Sequence, residues 1–182
     1  MKHFILFTGH MIDAPDRSVP RFPANKEDTV RQEIKLRLLH QKLIATAPLQ
    51  GIASGACGGD MLFHELCIEL GIPSEIYLAS AAEEFMQGSV SFAGKNWEDR
   101  FDALLKQLPY HELPPATDTT MNKYELTNEW MLETALSDGG ANLTLMALWD
   151  GGGGDGKGGT KDMINMAKEK GAAVEVIDIK QL

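Results

Sequence analysis

The chain is short of cysteine. Cys57 and Cys67 are the only two in 182 residues. They form no CxxC pair, and two thiols do not make a disulfide framework, so packing is their expected role. Positive charge is also scarce: 17 Lys and Arg against 26 Asp and Glu leave a net charge of −9. No nucleic-acid partner is expected, because a phosphate backbone is met by an excess of cations. A small nucleotide remains open, since backbone N–H groups hold phosphate without net positive charge. Long apolar runs are missing. The run from Phe4 to Phe7 is too short for a signal-peptide core, and no later stretch approaches membrane-span length. A cytoplasmic protein with no membrane partner is therefore expected. His3, His10, His40, His64 and His111 are scattered without HxxxH or HExxH spacing, so no metal site is expected.

What is present is ordinary globular material. Apolar residues make up 43% and charged residues 24%, both near the average for folded domains. The length suits one domain over 1–182, long enough to bury a core without staples.

Apolar strands alternate with helical periodicity along the chain. Residues 3–8 (HFILFT) read as a buried strand stopping at Gly9. A helix is predicted over 25–47, with Val30, Ile34 and Leu38 on one face and Asn25 with Asp28 as a capping pair. Residues 50–54 suggest a second strand. A helix follows from about Gly59 to Leu70, stopped by Gly71 and Pro73. Strands are predicted at 74–79, 142–149 and 173–179. Helices are predicted at 95–108, from a capping box at Asn122–Glu125 to Gly139-Gly140, and at 160–170. This rhythm requires crossover connections. The expected fold is a three-layer, Rossmann-like α/β fold with a mostly parallel sheet of about five to six strands. Ligands of such sheets bind beyond the carboxyl ends of the strands, where the loops 9–24, 55–60 and 150–160 fall.

The first loop, GHMIDAPDRSVPRFPA, is long for a compact domain, and Pro15, Pro20 and Pro23 stiffen it. Gly9 and His10 sit at its strand end. Arg17 and Arg21 can clamp phosphate or carboxylate; internal pairing with Asp13 and Asp16 is the plainer alternative. The second loop, Ser54 to Asp60, places Gly55, Gly58 and Gly59 between a strand and a helix. Glycines there allow close approach of a ligand to the helix start, whose amide hydrogens and dipole favour an anion. A tight turn with Asp60 as N-cap is the plain alternative.

The third loop runs from Asp150 through Gly156, Gly158 and Gly159 to Thr160, a residue suited to capping the next helix. It makes a second anion site of the same kind. Gly151 to Lys157 also matches the GxxxxGK of a Walker A motif, but Gly158 stands where the magnesium-binding Ser or Thr belongs. Glu65 either approaches a sugar as an acid or base or belongs to a solvated face. Asn128 and Trp130 can meet a base, with the core the plainer place for Trp130.

SGACGGDMLFHE and WDGGGGDGKGGT, each following a strand, resemble the two nucleotide-facing loops of the SLOG superfamily. That group includes the LOG phosphoribohydrolases, molybdenum-cofactor carriers and Smf-type DNA-processing proteins. Together with GHMIDAPDRSVPRFP they resemble one bacterial branch along nearly the whole chain. The resemblance implies a Rossmannoid sheet, a homodimer and a nucleotide-type ligand, with no certain cofactor beyond it. Gly58, Gly59 and Asp60 match one family loop, and Gly158, Gly159 and Thr160 the other. The active hydrolases carry PGGxGTxxE. Here the glutamate position is Met163, with Asp162 one residue early, and a one-residue offset turns a helical side chain by about 100°.

Two functions follow as expectations. One is a nucleotide-binding sensor or carrier, with phosphate between 55–60 and 156–160. The other is a nucleotide N-glycosidase of the phosphoribohydrolase type, drawing on Asp60, Glu65, Asp155 or Asp162 as carboxylates. A subunit with a vestigial pocket would respond to no ligand.

Overall fold

A computed structural model describes residues 1–114, 121–152 and 158–182. Six strands, β1 (His3–Gly9), β2 (Leu49–Ala53), β3 (Ser74–Leu78), β4 (Tyr110–Glu112), β5 (Leu143–Trp149) and β6 (Ala173–Asp178), form one sheet in the order β4-β3-β2-β1-β5-β6. Every pairing is parallel. β1 is central, Phe4 lying between Gln50 of β2 and Leu143 of β5. A strand covered on both faces must be apolar at successive positions, which is why HFILFT shows no alternation.

Six helices cover the sheet: α1 (Glu27–Ile44), α2 (Gly59–Leu70), α3 (Ala82–Ser89), α4 (Lys95–Gln107), α5 (Lys123–Ala135) and α6 (Thr160–Glu169). Ile5 and Phe7 of β1 join the core under α1 to α4, with Val30, Ile34, Phe63 and Phe101. Phe4 and Leu6 face the opposite core, with Met131, Leu132, Met163 and Ile164 of α5 and α6. This is the three-layer, Rossmann-like arrangement. The chain steps outward from β1 to β4, returns past it through α5, and resumes at β5. The strand order therefore reverses between β1 and β5.

Several local expectations are corrected. Asn25 lies in a 3₁₀ turn over Ala24–Lys26, and α1 begins at Glu27 without a side-chain cap. The sequence reading lacks α3, an eight-residue helix with a glycine inside it, and β4, a three-residue edge strand with no apolar pattern. α5 has the expected capping box between Asn122 and Glu125, but its last helical residue is Ala135, ahead of Gly139. Gly159, not Thr160, is the N-cap of α6, and Thr160 is its first helical residue. Both cysteines are free and buried. Among the described residues, no helix is long and apolar enough to cross a membrane.

Candidate functional site

The reversal of strand order opens a crevice at the carboxyl edge of the sheet. A cavity of about 580 Å³ lies there. Ligand clefts run from about 300 to 1,000 Å³, so this one has room for a nucleotide-sized molecule. Its walls come from all three loops singled out above: Gly9, His10, Arg17 and Arg21 from the first, Ser54, Ala56 and Asp60 from the second, and Gly158, Gly159 and Thr160 from the third.

The 9–24 loop is folded by one carboxylate. Asp13 Oδ2 accepts from the amides of Arg21 and Phe22, each at 2.9 Å, and the Asp13 amide donates to the Phe22 carbonyl at 2.8 Å. Phe22 is fully buried and anchors the loop in the core. Arg17 Nε donates to the Val19 carbonyl at 3.0 Å and lies 3.4 Å from Asp13 Oδ1. Of the pairing expected as the plain alternative, Arg17 with Asp13 is present, and both arginines line the cavity.

The glycines of the second loop face the protein. Gly58 has φ +107°, and a Cβ there would lie 2.5 Å from the Ile12 backbone nitrogen. The Gly59 amide donates to the His10 carbonyl at 3.1 Å, and the Ile12 amide to the Cys57 carbonyl at 3.0 Å. Gly55 packs against Leu78 and Phe101. None of the three belongs to the cavity wall. The close approach that glycine permits is used to seat the 9–24 loop on α2. Asp60, one residue further on, does line the cavity.

Asp60 is not the N-cap; Gly58 is. Its carboxyl is 7% exposed and forms no ion pair among the described residues. Burial raises its pKa to about 7, opposed in part by a hydrogen bond from the Ala56 backbone. Burial thus favours the protonated carboxyl, in a cavity that Arg17, Arg21 and His10 also line.

At the other glycine turn, Gly158 has φ +85° and sits against the start of α5, where a Cβ would meet Glu125 N at 3.0 Å. Asn128 Nδ2 donates to the Gly158 carbonyl at 2.7 Å, so this side chain positions the loop. Asp162 Oδ2 accepts from the Gly158 amide at 3.0 Å. The amides of Gly159 and Thr160 donate to no acceptor among the described residues, as at any uncapped helix start.

His10 is 8% exposed and lines the cavity. Its Nε2 lies 3.1 Å from both the amide nitrogen and Oδ1 of Asp150. Unprotonated, it accepts the amide hydrogen; protonated, it donates to the carboxylate. Burial would raise the Asp150 pKa, but the Gly152 amide and His10 outweigh it and hold the group below the ordinary carboxylate value. Asp150 stands behind His10 and is not itself in the wall.

Two proposed carboxylates lie elsewhere. Glu65 binds Arg31 at 2.8 Å and Arg100 at 2.7 and 3.0 Å, in a network on the outer side of α2 that also ties in Glu27. Asp162 is committed to the Gly158 amide. Gly156 and Asp155 lie outside the described residues. Trp130 packs edge-on against Tyr77, at 4.7 Å between ring centroids, beside the core under α5. Phe85 and Gly88 of α3, Phe92 of the turn after it and Tyr124 of α5 also line the cavity, and no motif in the sequence marks them as site residues. Among the described residues, no group of three His, Cys, Asp or Glu can hold a metal ion.

No protein-family model matches the chain, and no curated protein matches it.

Proposed function

We propose that the cavity holds a small phosphorylated ligand of nucleotide type, and that the protein senses or carries it. One observation carries this reading: the start of α6, the two arginines of the 9–24 loop and Asp60 border a single cavity at the switch point of the sheet. The phosphate rests on the amides of Gly159 and Thr160, where the helix dipole favours an anion, and Arg17 and Arg21 add charge contacts. Gly58 and Gly59 serve the site indirectly, by holding His10 and Ile12 in place. Membership of the SLOG superfamily, a cytoplasmic location and a homodimer belong to the same proposal and rest on the loop resemblance.

A thermal-shift panel of nucleoside phosphates tests it. At least one member should raise Tm with a concentration dependence that fits one site. Arg21→Ala should weaken that response, and Gly159→Glu should abolish it. A panel without any response contradicts the proposal.

Asp60 favours a second reading, hydrolysis of the N-glycosidic bond of a nucleotide. A carboxyl that retains its proton near neutrality suits protonation of a departing base. Met163, at the family's glutamate position, is fully buried under the sheet, so that route has no carboxylate here. Asp60 would carry the acid step alone. Release of free base from adenosine monophosphate, lost in Asp60→Asn, distinguishes the hydrolase from the carrier.

A further inference from the structure

The cavity wall carries two kinds of chemistry. Glycine amides and arginines supply one. Rings supply the other, in the arm between α3 and α5: Phe85 of α3, Phe92 of the short turn after it and Tyr124 of α5. Gly88, the penultimate residue of α3, belongs to this arm. A Cβ on Gly88 would find the Tyr124 hydroxyl 4.0 Å away and no nearer atom outside its own helix. The space in front of Gly88 is therefore cavity, with Tyr124 across it.

The walls of this arm are fixed from three sides. Phe85 stacks on Phe101 of α4, with ring centroids 5.9 Å apart and planes 15° from parallel. Glu84 of α3 pairs with Lys123 of α5 at 2.7 Å, bridging the arm. The Ser89 carbonyl accepts from the Cys57 amide at 3.0 Å, which ties α3 to the turn before Asp60. A ring-lined space between elements tied to one another suits a flat aromatic group.

We propose that this arm receives the planar base of the ligand, and that Gly88 sets the size it admits. The inference rests on the phosphate-binding reading above, and its test separates the two. Calorimetric titration with adenosine monophosphate and with ribose 5-phosphate gives an affinity ratio for each variant. Ribose 5-phosphate lacks the base and occupies the phosphate site alone. Gly88→Leu should lower the ratio at least tenfold, by cutting adenosine monophosphate affinity. Gly88→Ala, whose Cβ fits against Tyr124, should keep the ratio within threefold. Phe92→Ala, on another part of the wall, should also lower it. A ratio unchanged in both Gly88→Leu and Phe92→Ala overturns the base-arm assignment while leaving phosphate binding in place. Equal loss of both ligands in a folded Gly88→Leu overturns it as well. A wild-type protein that binds neither ligand overturns the phosphate reading, and this inference with it.

Discussion

At the start of α2, Gly59 gives its amide hydrogen to His10 and would bring a Cβ within 3.0 Å of Phe7. At the start of α6, Gly159 and Thr160 line the cavity, and their amides donate to no acceptor among the described residues. Both turns follow a buried strand and precede an amphipathic helix, and both are glycine-rich. At each a glycine of positive φ packs on protein, Gly58 on the 9–24 loop and Gly158 on the start of α5; the difference lies in the amides that follow, taken by His10 at α2 and bordering the cavity at α6. Glycine records that something comes close and does not record whether it is protein or ligand. α2 adds a buried carboxyl to the site, and α6 adds bare amides.

The largest effect is expected from Gly58→Val. Its φ of +107° disfavours a side chain, and the Cβ would overlap the Ile12 backbone. Strain of this kind costs about 1–3 kcal/mol before any overlap, so a loss of about 3 kcal/mol or more is expected in chemical denaturation. A neutral result would mean that the 9–24 loop is not seated on this turn.

Asp60→Asn comes next. The folded pKa of about 7 lies above the ordinary 3.8, so the fold favours the protonated acid. Its contribution is complete below about pH 4 and declines as pH rises through 7. The asparagine variant removes that decline. At pH 8 it should be more stable than wild type, with the gap closing toward pH 4. Anion affinity of the wild type should fall more steeply across pH 7 than that of Asp60→Asn, because only the wild type gains a carboxylate charge there; ionisation of the phosphate and of His10 is common to both. Identical pH profiles of the two proteins would contradict the buried-acid account.

Gly159→Glu attacks the other turn. Its φ of −87° suits any residue, so stability should hold within about 0.5 kcal/mol. Ligand affinity should fall more than tenfold, which is about 1.4 kcal/mol. The smallest effect is expected from Glu65→Gln. It loosens the ion pairs with Arg31 and Arg100, costing about 1 kcal/mol at a partly exposed site. Ligand response should not change.

Much of the fold was legible because long periodic segments announce themselves. β1, α2, α4 and β5 follow directly from apolar runs and stripes. α3 and β4 escaped because eight residues with one buried ring, and three residues at a sheet edge, carry too little pattern. The loops of the site were legible through their glycines and arginines. Its second wall was not, since Phe85, Phe92 and Tyr124 meet only in three dimensions. Glu65 shows the opposite failure. A carboxylate on the helix after a glycine turn looks available in sequence, and only packing reveals Arg31 and Arg100 beside it.

Amide chemical-shift mapping with ribose 5-phosphate addresses the phosphate site without relying on any variant. The largest shifts should fall on Gly158, Gly159, Thr160 and His10, with Gly55 and the Glu65 side of α2 nearly still. Saturable shifts centred away from the α6 start, or none at millimolar ligand, would contradict the account.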